Sequence, residues 1–280
     1  GSGVDKKTLF ENFNLEVSRG EKVAFVGKNG VGKSSLLKAI LKKITYEGIV
    51  RWGGNVKVSY FDQELSSLDL NMTVLEAVHR KFPTKTEYEI RSMLGRFLIE
   101  DEDVFKRIRE MSGANRAKVV LCIITFERSN VLVLDEPTNH LDVESIEWLE
   151  SFLQSYKGAF IIISHDRYFL DKVTNKTFEL EVGRFRSYNG GYSEYMLQRE
   201  IDKKTEERNY QNTMREIERL EGVVEQQRRW NREKNIKTAE SKLKVIEKLE
   251  KDLVKPISQT DDIAFSFKAL AGGGNDALMC

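Results

Sequence analysis

The sequence contains few residues that cross-link or bend a chain. Its 280 residues include three prolines and two cysteines, and 45 basic side chains nearly balance 44 acidic ones. Two cysteines cannot build a disulfide framework, so Cys122 and Cys280 are interpreted as reduced thiols of a cytoplasmic protein. No apolar run approaches the ~18 residues of a membrane-spanning helix. Because net charge supplies no attraction, any binding to nucleic acid needs local clusters of basic residues.

Three regions of different composition follow one another, in a chain long enough for one large domain or two small ones. Residues 4–198 alternate short β-rich runs with helical stretches, which predicts an α/β domain with a mainly parallel sheet. Residues 199–256 carry apolar positions at helical spacing. Residues 257–280 begin with an alternating strand pattern and a glycine turn, and they resemble the opening of a further domain.

One stretch of the first region, "TVLEAVHRKFPTKTEYEIRSMLGRFL", is predicted to be helical. Pro83 interrupts it, since proline breaks a helix interior. Thr84 and Glu87 have the spacing of a capping box, so we expect the second helix to begin after Thr84.

The second region has two apolar series at helical spacing. They comprise Met214, Ile217, Leu220 and Val224, then Leu243, Ile246, Leu249 and Leu253. Between them lies the polar, basic stretch "RRWNREKNIK". This pattern predicts two antiparallel helices that meet near residues 231–235, and the alternative is one continuous helix.

"GKNGVGKS" fits the phosphate-binding pattern G-x-x-x-x-G-K-[ST], between a predicted strand and a predicted helix. Glycines let backbone N–H groups surround phosphate oxygens, and the helix N-terminus adds its positive end. Lys33 is expected at the β- and γ-phosphates and Ser34 on Mg²⁺. The predicted ATP-binding residues of this loop are Gly27, Asn29, Gly30, Gly32, Lys33, Ser34 and Ser35.

"VLVLDEP" supplies the expected partner of this loop, about 100 residues further on. Four apolar residues predict a buried strand, and two carboxylates stand at its end. Asp135 is predicted to hold Mg²⁺ and Glu136 to act as general base on the attacking water.

Together, the phosphate loop, "LDEPTNHLD" and "SHDRYFLD" resemble the nucleotide-binding domain of ATP-binding cassette (ABC) proteins, in the form found in the ABC-F subfamily. The resemblance covers nearly the whole chain. It implies a P-loop NTPase fold with a mainly parallel sheet, an antiparallel β layer and a helical subdomain, followed by a helical hairpin. It also implies that this chain is a soluble, ribosome-associated ATPase without membrane domains.

The same resemblance assigns further residues one by one. Gln63 lies at the Q-loop position, where its amide senses Mg²⁺ and the attacking water. His165 matches the switch histidine that contacts the γ-phosphate, and Asp142 matches the D-loop that communicates across a pair of cassettes. Ser112 and Gly113, in "MSGAN", occupy the place of the LSGGE/Q signature, which caps ATP bound to a second cassette. His79 and His140 receive only structural roles.

The signature departs from the family pattern at two positions. Ala114 adds a methyl group where the backbone approaches phosphate, and we expect it to resist the backbone angles that glycine permits. Asn115 is shorter than the usual acid and carries no charge. The sequence therefore predicts retained ATP binding with weakened closure of the cassette pair and slow hydrolysis.

The order of segments is a second departure. "KKTLFENFNLEVSRGE" begins partway through the family's opening pattern, and the tail "IAFSFKALAGGGNDALMC" resembles the missing part. The body resembles a second cassette, whereas the linker normally follows a first one. We expect either a permuted order, in which the tail strand completes the N-terminal layer of its own chain or of a neighbour, or a truncated chain.

The hairpin resembles the ABC-F linker that enters the ribosomal exit-tRNA site. Between residues 226 and 248, eight basic residues stand against three acids, with Trp230 at the expected tip. Cations can follow phosphates and an aromatic ring can stack on a base. The predicted contacts to ribosome and tRNA are Arg228, Arg229, Trp230, Arg232, Lys234 and Lys237. The alternative is an ordinary solvated hairpin.

Three functions compete at this stage. The first is an ABC-F ATPase that binds Mg-ATP, pairs with a second cassette and acts on the ribosome in translation. The second is a catalytically impaired cassette that serves as a nucleotide-binding assembly module, for which the altered signature argues. The third is the ATPase subunit of a membrane transporter, against which the long charged linker argues.

Overall fold

The computed structural model describes residues 13–229 and 233–253, except the side chains of residue 228, residues 233–238 and residue 252. The chain divides into two compact units, residues 1–198 and 199–280. The first seven residues of the N-terminal opening pattern lie outside the described residues, and so do the tail strand and the tip with Trp230. No described helix is both long and apolar enough to cross a membrane.

The first unit is built on a six-stranded sheet of order β2-β3-β4-β1-β5-β6. Its strands are β1 (Lys22–Val26), β2 (Val58–Phe61), β3 (Val131–Asp135), β4 (Ala159–Ile163), β5 (Lys176–Glu181) and β6 (Arg184–Asn189). All neighbouring strands are parallel except β5 and β6. The predicted mainly parallel α/β sheet is confirmed, and its antiparallel part, in the described residues, is the β5–β6 pair.

Eight helices follow from the described residues. They are α1 (Lys33–Ile40), α2 (Val74–Lys81), α3 (Glu87–Gly95), α4 (Gly113–Phe126), α5 (Val143–Ser155), α6 (Arg167–Val173), α7 (Tyr192–Arg229) and α8 (Glu233–Asp252). Short 3₁₀ turns at Asp103–Phe105 and Ile108–Glu110 precede α4.

Both faces of the central strands are buried, which explains their nearly continuous apolar sequences. Successive side chains of a strand point to opposite faces. In β1, Val23 and Phe25 join the core that includes Leu37 of α1. Ala24 and Val26 join the core on the other face, which includes Leu149 of α5. The sheet therefore has helices packed on both faces, and the loops leave from the ends of its strands.

The predicted start of the helix after Pro83 is wrong by two residues. Residues 83–85 form a turn closed by the Lys85 N–H donating to the Phe82 carbonyl. The chain can therefore enter α3 only after Thr86, whose hydroxyl accepts from the Glu89 N–H while Glu89 accepts from the Thr86 N–H. The structure does contain a capping box, but Thr86 and Glu89 form it instead of Thr84 and Glu87.

The second unit contains two helices packed on each other. Ile217, Leu220 and Val224 of α7 share one buried apolar cluster with Ala239 and Ile246 of α8. Since residues of α7 and α8 share that cluster, the described residues 199–229 and 233–253 form a helix pair and not one continuous helix. The apolar spacing in the sequence corresponds to the faces that the two helices bury.

Candidate active site

The carboxyl ends of the parallel strands bring the predicted site residues to one edge of the sheet. Phe25 of β1 and Asp135 of β3 both stand opposite Ile163 of β4. The loop after β1, the acid at the end of β3 and the segment after β4 therefore start at the same level. Phe61 of β2 pairs with Leu134, so the segment with Gln63 leaves at this level too. Such an edge is where open α/β sheets bind ligands.

The loop between β1 and α1 depends on its glycines. Gly30 and Gly32 have φ of 78° and 103°, a left-handed region that disfavours other residues, and Gly32 is the N-cap of α1. A Cβ at Gly27 would collide with the Leu180 carbonyl. Asn29 is exposed beside them. These conformations turn the loop around the N-terminus of α1, the position at which anions bind.

Lys33, the first residue of α1, is folded back over the loop. Its Nζ donates to the Gly27 carbonyl at 2.7 Å and to the Lys28 carbonyl at 3.3 Å. Burial lowers the pKa of Lys33, and the nearby carboxylates of Glu136 and Asp135 oppose that shift. The lysine thus stands between the loop and the two acids, where a negative ligand would gain from its charge.

Ser34 and Asp135 form the contact between α1 and β3. The Ser34 hydroxyl donates to Asp135 Oδ1 at 3.0 Å, and Ser35 lies next to it, half-buried, on α1. Burial raises the pKa of Asp135, the Ser34 hydrogen bond opposes the shift, and the negative charge of Asp62 adds to it. No described group of three or more His, Cys, Asp or Glu side chains could hold a metal by itself. A hard cation that takes further ligands from phosphate and water suits two such oxygens.

Glu136 and His165 lie in direct contact. The Glu136 carboxylate accepts from the His165 backbone N–H at 3.3 Å, and its Oε1 lies 3.1 Å from His165 Nε2. The Glu136 side chain is 6% exposed, whereas that of His165 is 55% exposed. Burial raises the pKa of Glu136, while His165 and Lys33 oppose the shift. The sequence separates these residues by two elements, and the β3–β4 pairing brings them together.

Two polar residues of this edge were not predicted from the sequence. Thr138 and Ser164 share a hydrogen bond of 3.0 Å between their hydroxyls, and Ser164 also accepts from the Asp166 N–H. They join the segment after Glu136 to the segment that carries His165. The detectable signal was Ser164 itself, a polar residue directly after the all-apolar strand β4.

Gln63 is exposed and directly follows the buried Asp62. The Asp62 carboxylate accepts hydrogen bonds from the Glu64 N–H and from the Tyr60 hydroxyl, both at 3.4 Å. Asp62 was not predicted, and its position just after β2 was the available signal. The acid holds the turn from which Gln63 extends.

The signature segment begins α4. The Ser112 hydroxyl accepts from the Asn115 N–H at 3.1 Å and caps the helix. The Asn115 side chain donates to Asp103 Oδ2 at 2.9 Å. The expectation that Ala114 resists the required backbone angles is wrong, because Ala114 lies within α4 and alanine favours helical angles over glycine. The other part of the prediction, that the Ala114 methyl group stands where the backbone approaches phosphate, stays a prediction.

Asp142 ends the segment that follows Glu136, and its side chain caps α5. Its Oδ1 accepts from the Ser145 N–H at 2.8 Å, and its Oδ2 lies 3.0 Å from the Lys118 ammonium of α4. His140 is exposed, with its ring next to Gly113. The segment after Glu136 therefore runs along the start of the signature helix.

The predicted nucleic-acid residues are described only at Arg229. This side chain is exposed and pairs with Glu225 at 2.7 Å. Trp230, Arg232 and the side chains of the other predicted contacts lie outside the described residues. Of the remaining basic residues of the pattern, Lys244 and Lys248 are exposed on α8 and Lys242 is half-buried.

A glycine loop around the N-terminus of α1, with an Asp-Glu pair and a histidine at the same sheet edge, defines an ATP-binding cassette, a type of ATPase domain. Two family models described as ABC transporter match the chain, one over residues 10–139 and one over residues 178–267. The chain therefore contains an ATP-binding cassette of the ABC transporter family.

Curated relatives agree with this assignment. The putative ATP-binding protein YdiF of Bacillus subtilis is 38% identical over 200 residues, 71% of this chain and 30% of the relative. ABC transporter F family member 5 of Arabidopsis thaliana is 39% identical over 208 residues, 73% of this chain and 30% of the relative. The probable ATP-binding protein YheS of Escherichia coli is 30% identical over 295 residues, 94% of this chain and 46% of the relative. The chain thus spans less than half the length of each.

Solved structures support the fold. A dimeric ATP-binding cassette in a post-hydrolysis state with ADP and phosphate has a TM-score of 0.54 at 18% identity, over 65% of this chain and 90% of that chain. A putative metal-chelate type ABC transporter in an inward-facing conformation has a TM-score of 0.51 at 20% identity, over 64% and 76%. At these identities the likeness concerns the fold alone.

Proposed function

We propose that this cassette hydrolyses ATP by in-line attack of water on the γ-phosphate. The observation that carries the proposal is the contact between Glu136 and His165 at the sheet edge, beside the glycine loop. A buried carboxylate held by a histidine is a base with a fixed direction. The loop amides and Lys33 bind the phosphates, and Glu136 orients the water.

Ser34 and Asp135 would hold Mg²⁺, and they fit that role, because two oxygen atoms from different elements lie 3.0 Å apart at the start of α1. The ion, when bound, neutralises charge on the phosphates. Asp135 stays ionised more easily once a cation offsets the burial that raises its pKa. Gln63, exposed at the same edge, adds an amide oxygen from the neighbouring loop.

Glu136 and His165 divide the chemistry between them. Glu136 accepts the proton of the attacking water, which requires its ionised form. His165 faces the solvent side of that carboxylate with 55% of its side chain exposed, so its other ring edge is free to meet the γ-phosphate. Hydrogen bonding to transition-state charge there would need the doubly protonated imidazolium, because a neutral ring that donates its Nε2–H to Glu136 has no second N–H for the γ-phosphate.

A second cassette completes the site. Ser112, Gly113 and Asp142 lie on connected segments outside the glycine loop, as a surface that meets ATP bound to a partner would require. One solved structural neighbour is dimeric with ADP and phosphate. We infer that the Ala114 methyl group hinders close approach of the signature backbone to phosphate, so closure is weakened and hydrolysis is slow.

The cellular role we infer is that of an ABC-F protein, acting in the cytoplasm on the ribosome and tRNA. Two points support it: two relatives are named as F family members, and a charged helix pair follows the cassette. Exposed basic residues such as Arg229, Lys244 and Lys248 provide sites for phosphate contacts on that pair.

Substitution Glu136→Gln tests the catalytic assignment. The amide keeps the shape of the side chain and cannot accept a proton, so phosphate release should fall by about 10²- to 10⁴-fold. ATP affinity, measured by calorimetry, should stay within about twofold, because Lys33 and the loop amides are unchanged. Glu147→Gln, an exposed glutamate of α5, is the matched control and should leave both quantities unchanged.

Two results would contradict the assignment. Phosphate release by Glu136→Gln at the parental rate would remove the proposed base. Absence of ATP binding by the parental protein would remove the nucleotide site as a whole.

A further inference from the structure

An ion pair connects the signature helix to the segment after Glu136. Lys118 of α4 reaches Asp142, with its Nζ 3.0 Å from Oδ2. The Lys118 side chain is 9% exposed, and the residues next to it along α4, Ala117, Val119 and Val120, are buried as well. Lysine is almost never buried without a partner, so this position in a helix needs a specific counter-charge.

Asp142 holds this lysine while it serves a second contact. Its other oxygen accepts from the Ser145 N–H and caps α5. These hydrogen bonds from Ser145, and that from Lys118, lower the pKa of Asp142 to about 2. At neutral pH the carboxylate is therefore charged, and one side chain ties α4 to the start of α5.

The same segment also lies near the first residue of α4. A Cβ built on Gly113 would lie 3.7 Å from His140 Nδ1, which is ordinary contact distance. The segment 138–142 thus lies near the first residue of α4 and contacts the helix through the Asp142–Lys118 ion pair. The ion pair is therefore a described contact that can hold this segment against α4.

We propose that Lys118 is a positioning residue that holds Asp142 against the signature helix, so that both parts of the partner-facing surface keep one relative arrangement. This inference rests on the proposed pairing of two cassettes. Lys118 touches no part of the glycine loop and neither Asp135 nor Glu136 among its described ion pairs. Loss of its charge should therefore affect pairing and spare ATP binding by the single chain.

The test compares Lys118→Met with Lys118→Arg in the Glu136→Gln background. Methionine keeps the apolar stem and removes the charge, whereas arginine restores a charge that can pair with Asp142. The dimer dissociation constant with MgATP is measured by analytical ultracentrifugation. We expect it to rise at least about tenfold for methionine and to stay within about threefold for arginine. ATP affinity of the single chain should stay within about twofold in both.

Hydrogen exchange supplies a readout that does not depend on pairing. Backbone amides of residues 138–146 should exchange several-fold faster in Lys118→Met than in the parent, and at the parental rate in Lys118→Arg. Equal exchange in all three proteins overturns the inference, as does a methionine variant that dimerises with parental affinity. A parental protein that stays monomeric with MgATP overturns the proposed pairing, and the exchange rates then still decide whether Lys118 holds the segment.

Discussion

Glu136 has an unusual backbone conformation for a residue with a side chain. Its φ is 50°, in the left-handed region, and its N–H donates to the Ile163 carbonyl. Such a conformation costs about 1 kcal/mol or more and persists only where surrounding contacts enforce it. Here it ends β3 abruptly and turns the carboxylate toward His165. The strain is therefore located at the residue that we propose as the base.

Asn115 has a partner that an acid could not use. Its amide donates to Asp103, 2.9 Å away. We expect Asn115→Asp to lower the free energy of unfolding by about 1 to 3 kcal/mol, because a hydrogen bond is replaced by two facing carboxylates. Chemical denaturation measures the loss. Combining it with Asp103→Asn should recover most of the stability, since the new amide can donate in the opposite direction.

Asn212→Asp, at an exposed position of α7, is the matched control for that experiment and should change stability by less than about 0.5 kcal/mol. If the single and double variants lose the same stability, the two side chains do not interact. The contact with Asp103 would then not explain why residue 115 is an asparagine where the family has an acid.

At the scale of elements, helix termini build most of this site. Gly32, Ser112 and Asp142 are the N-caps of α1, α4 and α5. The glycine loop ends at the N-terminus of α1, and two connected segments outside that loop end at the N-termini of α4 and α5. Helix N-termini favour negative charge, as a nucleotide with its phosphates would bring.

The cap of α5 should give a measurable pH dependence. The pKa of Asp142 is lowered from 3.8 to about 2 in the folded protein. A carboxyl with a lowered folded pKa contributes stability above its unfolded pKa and loses it as pH falls toward the folded pKa. At neutral pH, Asp142→Ala should cost about 1 kcal/mol or more from the lost cap. We expect this difference from the parent to shrink as pH falls from about 5 to about 2.

Thermal melts across this pH range measure the difference. Asp142→Asn is the control, because its amide oxygen still caps α5 and does not titrate, so its difference from Asp142→Ala should stay constant. A gap between parent and Asp142→Ala that does not change with pH would mean that the charge of Asp142 adds nothing to folding.

At the scale of the whole molecule, a cassette and a helix pair are two compact units of one chain. The second unit buries a small apolar seam and exposes its charges. A helix pair of this kind needs few apolar residues, because each helix buries only one face. Its exposed surface is thereby left for contacts with another molecule.

Co-sedimentation with ribosomes tests the proposed cellular role. The Glu136→Gln protein should sediment with ribosomes in MgATP more than the parent does, because it retains ATP. In that background, Arg228→Gln with Arg229→Gln should weaken binding by about tenfold and reduce its salt dependence, since each lost phosphate contact lowers the slope. Lys203→Gln with Lys204→Gln, an equal charge change near the start of the second unit, is the control and should change binding by less than about twofold.

Sedimentation that is independent of ATP, or equal weakening by both double substitutions, would contradict a role for the helix pair in specific ribosome binding. The ATPase assignment would be unaffected, since it depends on the first unit alone.

Local patterns in the sequence were enough for strands β1, β3 and β4, for the glycine loop and for the acid pair that follows β3. A buried strand that ends in Asp135 and Glu136 is a local signal, and so is a run of glycines before Lys33. The helix break at Pro83 was also local, yet its cap moved to Thr86 because the turn closed by Lys85 consumed two more residues.

By itself the sequence determined a mainly parallel α/β domain with a phosphate loop and a helical region after it, because periodicity and glycine spacing act over a few neighbouring residues. Only the tertiary structure decided that His165 meets Glu136, that Asn115 binds Asp103, and that Lys118 pairs with Asp142. These contacts depend on strand register and on the packing of α4. Both are set by the whole core at once, and no short pattern encodes them.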